Sequence, residues 1–243
     1  MSDSTISEEK QQYADALRRH LQGAKALRQA ANAEADTAGE RLRLREWQAA
    51  RLARSYADLL ASERYGKAAK FFLSDLYGPK DFSSRDDEVE RILPMLIATL
   101  PASALHTVAL AVELDALSET LDSAMLEQLR MVHRIDAIDD AAYAAAYRAV
   151  GRQPERRRQI VLIRETGEAL ERLAKKSLLN AVLKLMRGPA QLAGLGDLQA
   201  FLENGFAAFR LMGDATGFLD RIEHQERQLL ENLFGGARQP FLI

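Results

Sequence analysis

The chain has 243 residues, of which 47% are hydrophobic, and a formal net charge of −2 from 33 basic and 35 acidic side chains. A chain of this length can bury roughly 70–75% of its unfolded surface, so we expect a single domain over the whole chain. It contains no cysteine, which excludes disulfides, zinc–thiolate sites and iron–sulfur clusters. The near-neutral balance of charge gives no general attraction to nucleic acid or to an anionic membrane.

The composition predicts an all-α fold. Glycine and proline fall mostly in clusters, and the stretches between them are rich in Ala, Leu, Arg and Glu, as in helices with abrupt ends. No alternating run of β-branched residues reaches the length of a strand. We therefore expect a multi-helix bundle of about eight to ten helices that begins with a long N-terminal helix or helix pair.

The N-terminal pair is predicted over residues 7–36 and 38–63. Thr37 and Glu40 have the spacing of a capping box that would begin the second helix, although the chain could also continue as one rod. A seam rich in Ala and Leu runs from Leu17 to Leu59 at alternating steps of four and three residues, interrupted by Arg28 and Arg45. The seam predicts packing within the fold; a projecting arm over residues 1–62 is the alternative.

The middle of the chain predicts short helices followed by a central one. A helix from Tyr65 would end at Gly78-Pro79, and the next keeps its apolar phase through Pro94, where we expect a kink or a restart. After Pro101 a helix that is apolar on nearly every side is typical of the centre of a bundle. Residues 92–112 are uncharged and long enough to span a bilayer, but the two prolines favour buried helices over a membrane span.

The C-terminal third predicts helices near residues 139–150, 154–187, 197–212 and 214–234, with Asp139, Asp197 and Asp214 as N-caps. The tail, ARQPFLI, is expected to be either frayed or docked into a groove. The first ten residues lack the features of a secretion signal, so a cytoplasmic location is expected.

Two groups of side chains are candidate binding residues. His106 and Glu113 lie seven residues apart on the central helix and could share a polar pocket that orients a general base or a haem ligand, although a structural hydrogen bond is the simpler interpretation. Tyr77, Asp81 and Arg85 surround the Gly78-Pro79 turn and could recognise a polar ligand. Helix capping and local ion pairs account for the same residues.

The known catalytic and cofactor motifs are missing. None of the four histidines follows a glutamate at the spacing of di-iron bundles, and the zincin, P-loop, dinucleotide-binding and nucleophile-elbow signatures do not occur. We therefore predict no metal and no cofactor. Residues 41–54 and 148–158 are rich in arginine, but they lack the interleaved aromatics of single-strand binders, which argues against nucleic acid.

One part of the chain carries a family resemblance. The segment RYGKAAKFFLSDLYGPKDFSSRDDEVERILPMLIATLP at residues 64–101, together with ELDALSETLD at 113–122, resembles a family of uncharacterised all-helical bacterial proteins. The resemblance implies a compact all-α fold in a cytoplasmic protein. It implies no activity, substrate or cofactor.

These observations favour a non-catalytic protein-interaction or regulatory module, which would use its long helices to bind a protein partner or to self-associate. The alternative is a small-molecule or haem-binding protein, conceivably an enzyme, with a pocket between the central helix and residues 65–91. Nucleic-acid binding through the arginine-rich helix faces ranks third.

Overall fold

The computed structural model describes residues 7–33, 35–76 and 83–242, and this part of the chain is helical without any strand. The all-α bundle with a long N-terminal helix pair is thus confirmed. A π-helical turn (Phe72–Leu76) follows α4. In chain order the α-helices of these ranges are α1 (Glu8–Asn32), α2 (Ala35–Ser55), α3 (Ala57–Ala61), α4 (Gly66–Phe71), α5 (Ser83–Thr99), α6 (Ala102–Met131), α7 (Asp140–Val150), α8 (Gln153–Ala174), α9 (Ser177–Leu192), α10 (Gly196–Met212) and α11 (Thr216–Phe234).

Helix α6 is the centre of the fold. It is 30 residues long, buries apolar side chains on several faces, and contacts α1, α2, α7 and α8. A helix without a continuous polar face is stable in water only when neighbours cover it on most sides, which is the arrangement seen here. No helix in the described ranges combines the length and the low polarity that crossing a bilayer would need.

The part of the N-terminal seam that lies on α1 packs inside the chain. Helix α1 begins after Ser7, whose hydroxyl accepts a hydrogen bond from the backbone N–H of Lys10. Its buried apolar residues lie against α5 and α6, where small alanine side chains permit close approach of the helices. They are Ala14, Leu17, Leu21, Ala24 and Ala31.

The predicted capping box at the start of α2 is wrong. Helix α2 begins at Ala35, so Thr37 already lies within its first turn. The Thr37 hydroxyl instead accepts a hydrogen bond of 2.6 Å from Nη2 of Arg130, and Glu40 forms an ion pair with the same arginine. Tertiary contacts to α6 therefore use the side chains that a local capping motif would have used.

Three further boundaries differ from the sequence-based prediction. Helix α5 continues through Pro94, which excludes a restart there, and a kink at this residue stays a prediction. The helix predicted over residues 154–187 is two helices, because α8 ends at Ala174 and α9 begins at Ser177. Asp197 lies in the first turn of α10 and Leu195 occupies the N-cap position, whereas Asp139 caps α7 as predicted.

The C-terminal tail is docked. The ring of Phe241 lies edge-on to Trp47 at 5.6 Å and to Tyr143 at 6.1 Å. Trp47 in turn stacks on Tyr143 at 4.0 Å. These aromatic contacts join the end of the chain to α2 and α7.

Candidate ligand-binding site

A cavity of about 470 Å³ runs along one face of α6. This volume lies in the range of small-molecule sites, which is roughly 300–1,000 Å³. The side chains around it are mainly apolar. Most come from α2, the α4 region, α5, α6, α8, α10 and α11, and α1, α3, α7 and α9 contribute one or two each. The cavity therefore occupies the space between the central helix and the aromatic cluster that contains Phe71 and Phe72.

The cavity is elongated. Its lining residues on α8 recur at steps of three, four or one residues from Arg156 to Leu173, so they form one face of that helix. At 1.5 Å per residue this face is roughly 25 Å long. Lining residues of α6 cover a similar length, from Ala104 to Asp122.

A buried ionic cluster forms part of the wall. It joins three arginines from α1 and α2 to three carboxylates from α5 and α6, so its formal charges balance; the members are Arg28, Arg41, Arg45, Asp86, Asp115 and Glu119. Nη2 of Arg28 lies 2.6 Å from Asp115 and 3.1 Å from Glu119. Burial opposes the positive charge of Arg28, but the nearby aspartates outweigh it and raise its pKa.

A second charged group lies between α2 and α11. Nη1 of Arg51 and the hydroxyl of Tyr56 each donate a hydrogen bond of 2.7 Å to the same oxygen of Glu226. Burial raises the pKa of the Tyr56 phenol, and the negative charge of Glu226 adds to the effect. The charge of Arg51 is thus matched by Glu226 within the wall of the cavity.

Arg156 differs from the other buried arginines. It is 5% exposed, lines the cavity, and has no carboxylate within ion-pair distance among the described residues. Its guanidinium lies 4.4 Å above the ring of Tyr147. The Nε and Nη2 donors have no hydrogen-bond acceptor in the part of the chain that the structure covers. An arginine held in this way carries a desolvation penalty of several kcal/mol.

Thr166 is a second buried donor without a partner. It is 3% exposed, lines the same cavity, and its hydroxyl lacks a hydrogen bond within the described ranges. It lies ten residues beyond Arg156 on α8, which corresponds to about 15 Å along the helix axis. Buried polar groups nearly always have partners, so Arg156 and Thr166 are unusual among the buried polar side chains of this wall.

His106 and Glu113 lie on the opposite face of α6 and line one surface depression of about 380 Å³. The imidazole ring stacks on Tyr13 with 4.5 Å between ring centroids. The Glu113 carboxylate accepts a hydrogen bond of 2.9 Å from Nε of Arg158. The two residues thus share a pocket wall, but each has its own partner and neither reaches the large cavity. A ligand role for them stays a prediction.

The other predicted cluster lies largely outside the described residues. Tyr77 and Asp81 fall in the gap at 77–82, and the side chain of Arg85, at the start of α5, is likewise not described. A polar ligand at this turn therefore also stays a prediction. Within the ranges that the structure covers, no three His, Asp or Glu side chains converge as metal ligands.

The first arginine-rich segment points largely inward, whereas in residues 148–158 only Arg156 is buried. In residues 41–54, three of the five arginines are engaged with Glu119 or Glu226 in the interior. Sequence reasoning considered these segments only as candidate contacts to nucleic acid and missed Arg156. A signal was present, because Arg156 lies four residues before Ile160 and so extends the apolar seam of α8 by one position.

The family can now be stated. A family model described as a domain of unknown function (DUF8198) matches residues 26–240, and the chain belongs to this family. The resemblance to an uncharacterised helical family is thereby confirmed. No curated protein and no solved structure matches the chain.

Proposed function

We propose that this family member is a binding protein for a hydrophobic small molecule, which occupies the cavity along α6. The observation that carries the proposal is an elongated, mainly apolar cavity of about 470 Å³ whose wall includes Arg156 and Thr166, two buried side chains with donors that find no acceptor among the described residues. An apolar pocket with a few convergent polar groups is the usual form of a small-molecule site.

The charged groups around the cavity favour binding over catalysis. Asp115 and Glu119 are held by arginines, Glu226 by Arg51 and Tyr56, and Asp122 accepts a hydrogen bond of 2.8 Å from the Gln48 amide. A general base needs a carboxylate or an imidazole within hydrogen-bond reach of the substrate. These carboxylates are instead occupied in holding helices together.

Titration with the neutral fluorophore Nile red tests the proposal. We expect one molecule to bind per chain with a blue-shifted emission, because the dye would leave water for an apolar environment. Ala111 lines the cavity from α6, so the substitution Ala111→Phe would fill part of it and weaken binding about tenfold or more.

The matched control is Ala145→Phe, which adds the same ring at an exposed position of α7. This variant is expected to bind the dye like the unmodified protein. Circular dichroism confirms that both variants are folded. Absence of dye binding by the unmodified chain, or equal binding by both variants, would contradict the proposed function.

A protein-interaction role, which the sequence favoured, ranks second. The seam of α1 that motivated it is buried against α5 and α6 and is therefore occupied within the chain. Sedimentation velocity over a concentration series tests self-association directly. A sedimentation coefficient that does not change with concentration would remove self-association from this alternative.

A further inference from the structure

We propose that the ligand is a monocarboxylic acid with an extended apolar chain, whose carboxylate binds Arg156; this inference rests on the proposed function of the cavity. Arg156 is 5% exposed and lines the cavity, and its Nε and Nη2 donors have no acceptor among the described residues.

The free donors have the geometry that a carboxylate needs. Nε and Nη2 form one edge of a guanidinium, and a carboxylate binds such an edge with both of its oxygens. The same chain shows this arrangement elsewhere: Nε of Arg187 donates to one oxygen of Glu203 at 3.1 Å, and Nη2 donates to the other at 2.6 Å. In Arg156 these same two atoms have no acceptor in the described part of the chain.

The local charge at Arg156 favours a monoanion. The ionic cluster has three arginines for three carboxylates, and Arg51 is matched by Glu226. Among the described residues the remaining carboxylate of the wall, Asp122, accepts a hydrogen bond from Gln48, and no carboxylate lies within ion-pair distance of Arg156. A single carboxylate would supply the one negative charge that Arg156 lacks at this distance.

The shape of the cavity favours a chain. The volume of about 470 Å³ is spread over the lining face of α8 from Arg156 to Leu173, so the cavity is narrow compared with its length. Beyond the polar end the wall residues of α8 are mostly aliphatic, including Ile160, Ile163 and Leu170. A flexible alkyl chain fills such a space, whereas a rigid fused-ring ligand would not.

The test compares palmitate with hexadecanol, which share the alkyl chain and differ in the headgroup. Each is used below the concentration at which it aggregates, and binding is measured by displacement of Nile red. We expect palmitate to bind at least about tenfold more tightly, because hydrogen bonds to charged groups are stronger than those to a neutral hydroxyl. This comparison uses the unmodified protein and so does not depend on the folding of a variant.

Two variants locate the headgroup. Arg156→Met should weaken palmitate binding to the level of hexadecanol and leave hexadecanol binding unchanged. Arg158→Met makes the same change two residues away, at a half-buried arginine that pairs with Glu113 and Glu165, and should retain the preference for palmitate.

The possible outcomes separate the two proposals. If Nile red binds but palmitate and hexadecanol compete equally, or if neither competes, the carboxylate inference fails and the hydrophobic site stands. The inference also fails if Arg158→Met abolishes the preference as fully as Arg156→Met does. If Nile red does not bind at all, the proposed function fails and this inference fails with it.

Discussion

The guanidinium of Arg156 lies 4.4 Å above the ring of Tyr147, and this aromatic face is the one favourable partner that the described residues offer to its charge. A cation–π contact contributes about 0.5–2 kcal/mol. The desolvation of a buried ion costs several kcal/mol, so the contact offsets only part of the penalty. Arg156 therefore lowers the stability of the ligand-free chain. Such a loss of stability is typical of residues that serve binding rather than folding.

The first prediction follows from this imbalance. Arg156→Met replaces an unpaired cation by an apolar side chain of comparable length, so we expect the ligand-free protein to gain about 1–3 kcal/mol in its free energy of unfolding. Urea denaturation of delipidated protein measures the change. Under the same conditions Arg158→Met, which loses partly exposed ion pairs, should change stability by less than about 1 kcal/mol.

The opposite result would be informative. A loss of stability in Arg156→Met would mean that the guanidinium is satisfied within the folded chain. Arg156 would then no longer be interpreted as a buried hydrogen-bond donor that lacks an acceptor.

The second prediction concerns Glu119, which is 3% exposed and pairs with three arginines. Glu119→Gln keeps the shape of the side chain but removes its charge, and the buried cluster is left with an excess positive charge. We expect a loss of about 3–5 kcal/mol in the free energy of unfolding, measured by urea denaturation.

The control for Glu119 is Asp15→Asn. Asp15 pairs with Arg18 at 3.0 Å on the surface of α1, where both side chains are nearly half exposed. Solvent screening makes such a pair worth less than about 1 kcal/mol. Similar effects of the two substitutions would show that the ionic cluster does not stabilise the fold.

The sequence was sufficient to predict the fold class and the central position of α6, because the spacing of apolar residues determines which helix faces are buried. A pocket between the central helix and residues 65–91 was only the alternative hypothesis, and the sequence did not predict the length of the cavity or its wall on α8. A helix pattern shows that Ile160 and Leu170 face inward, but it does not show whether the opposing side chains meet them or leave a space between them. That depends on the distance between helices, which no local pattern contains.

The partners of the buried charged residues were likewise not predictable from local sequence patterns. Arg28 was recognised as an interruption of the α1 seam, which was correct, yet its partners Asp86 and Asp115 lie 58 and 87 residues later in the chain. The local sequence does not show which distant carboxylates will lie near an arginine in the folded chain. It therefore cannot distinguish an arginine that is buried in a seam from one whose side chain reaches solvent. For the same reason Arg156, which has four other arginines around it in residues 148–158, was not recognised as a buried residue.

The third prediction is a dependence of stability on alkaline pH. Tyr147 is 8% exposed, and its burial raises the pKa of the phenol, although the charges of Arg156 and Arg51 oppose the shift. Above about pH 10 the unfolded chain releases this proton while the folded chain keeps it, so the free energy of unfolding falls as the pH rises. Tyr147 contributes up to about 1.4 kcal/mol per pH unit to that fall.

Tyr147→Phe tests the assignment, because it keeps the aromatic face for Arg156 and removes the titrating group. We expect urea denaturation curves of the variant to depend less steeply on pH between about pH 10 and 12 than those of the unmodified protein. Near neutral pH, where the phenol is protonated in both states, the two should differ by less than about 1.5 kcal/mol. Parallel pH profiles would show that the Tyr147 hydroxyl does not titrate differently on folding.

The fourth prediction concerns the contact between α8 and α11. A Cβ at Gly167 would lie 2.5 Å from Cδ2 and 3.1 Å from Cδ1 of Leu219, which is 2% exposed and enclosed by its neighbours. Gly167→Ala gains roughly 0.5–1 kcal/mol in backbone entropy, but overpacking costs about 1–3 kcal/mol, so we expect a net loss. Thermal and urea denaturation measure the difference.

The matched control is Gly23→Ala in α1, where an added Cβ would meet nothing within 4 Å. Here only the entropic gain remains, so this variant should be more stable than the unmodified protein by about 0.5–1 kcal/mol.

The double variant Gly167→Ala with Leu219→Ala supplies the decisive comparison. If the clash is the cause, the new Cβ fits into the space that the shortened side chain leaves, and the combined loss is smaller than the sum of the two single losses. If the losses simply add, Gly167 and Leu219 are not coupled, and the close approach of α8 and α11 at this point does not require glycine.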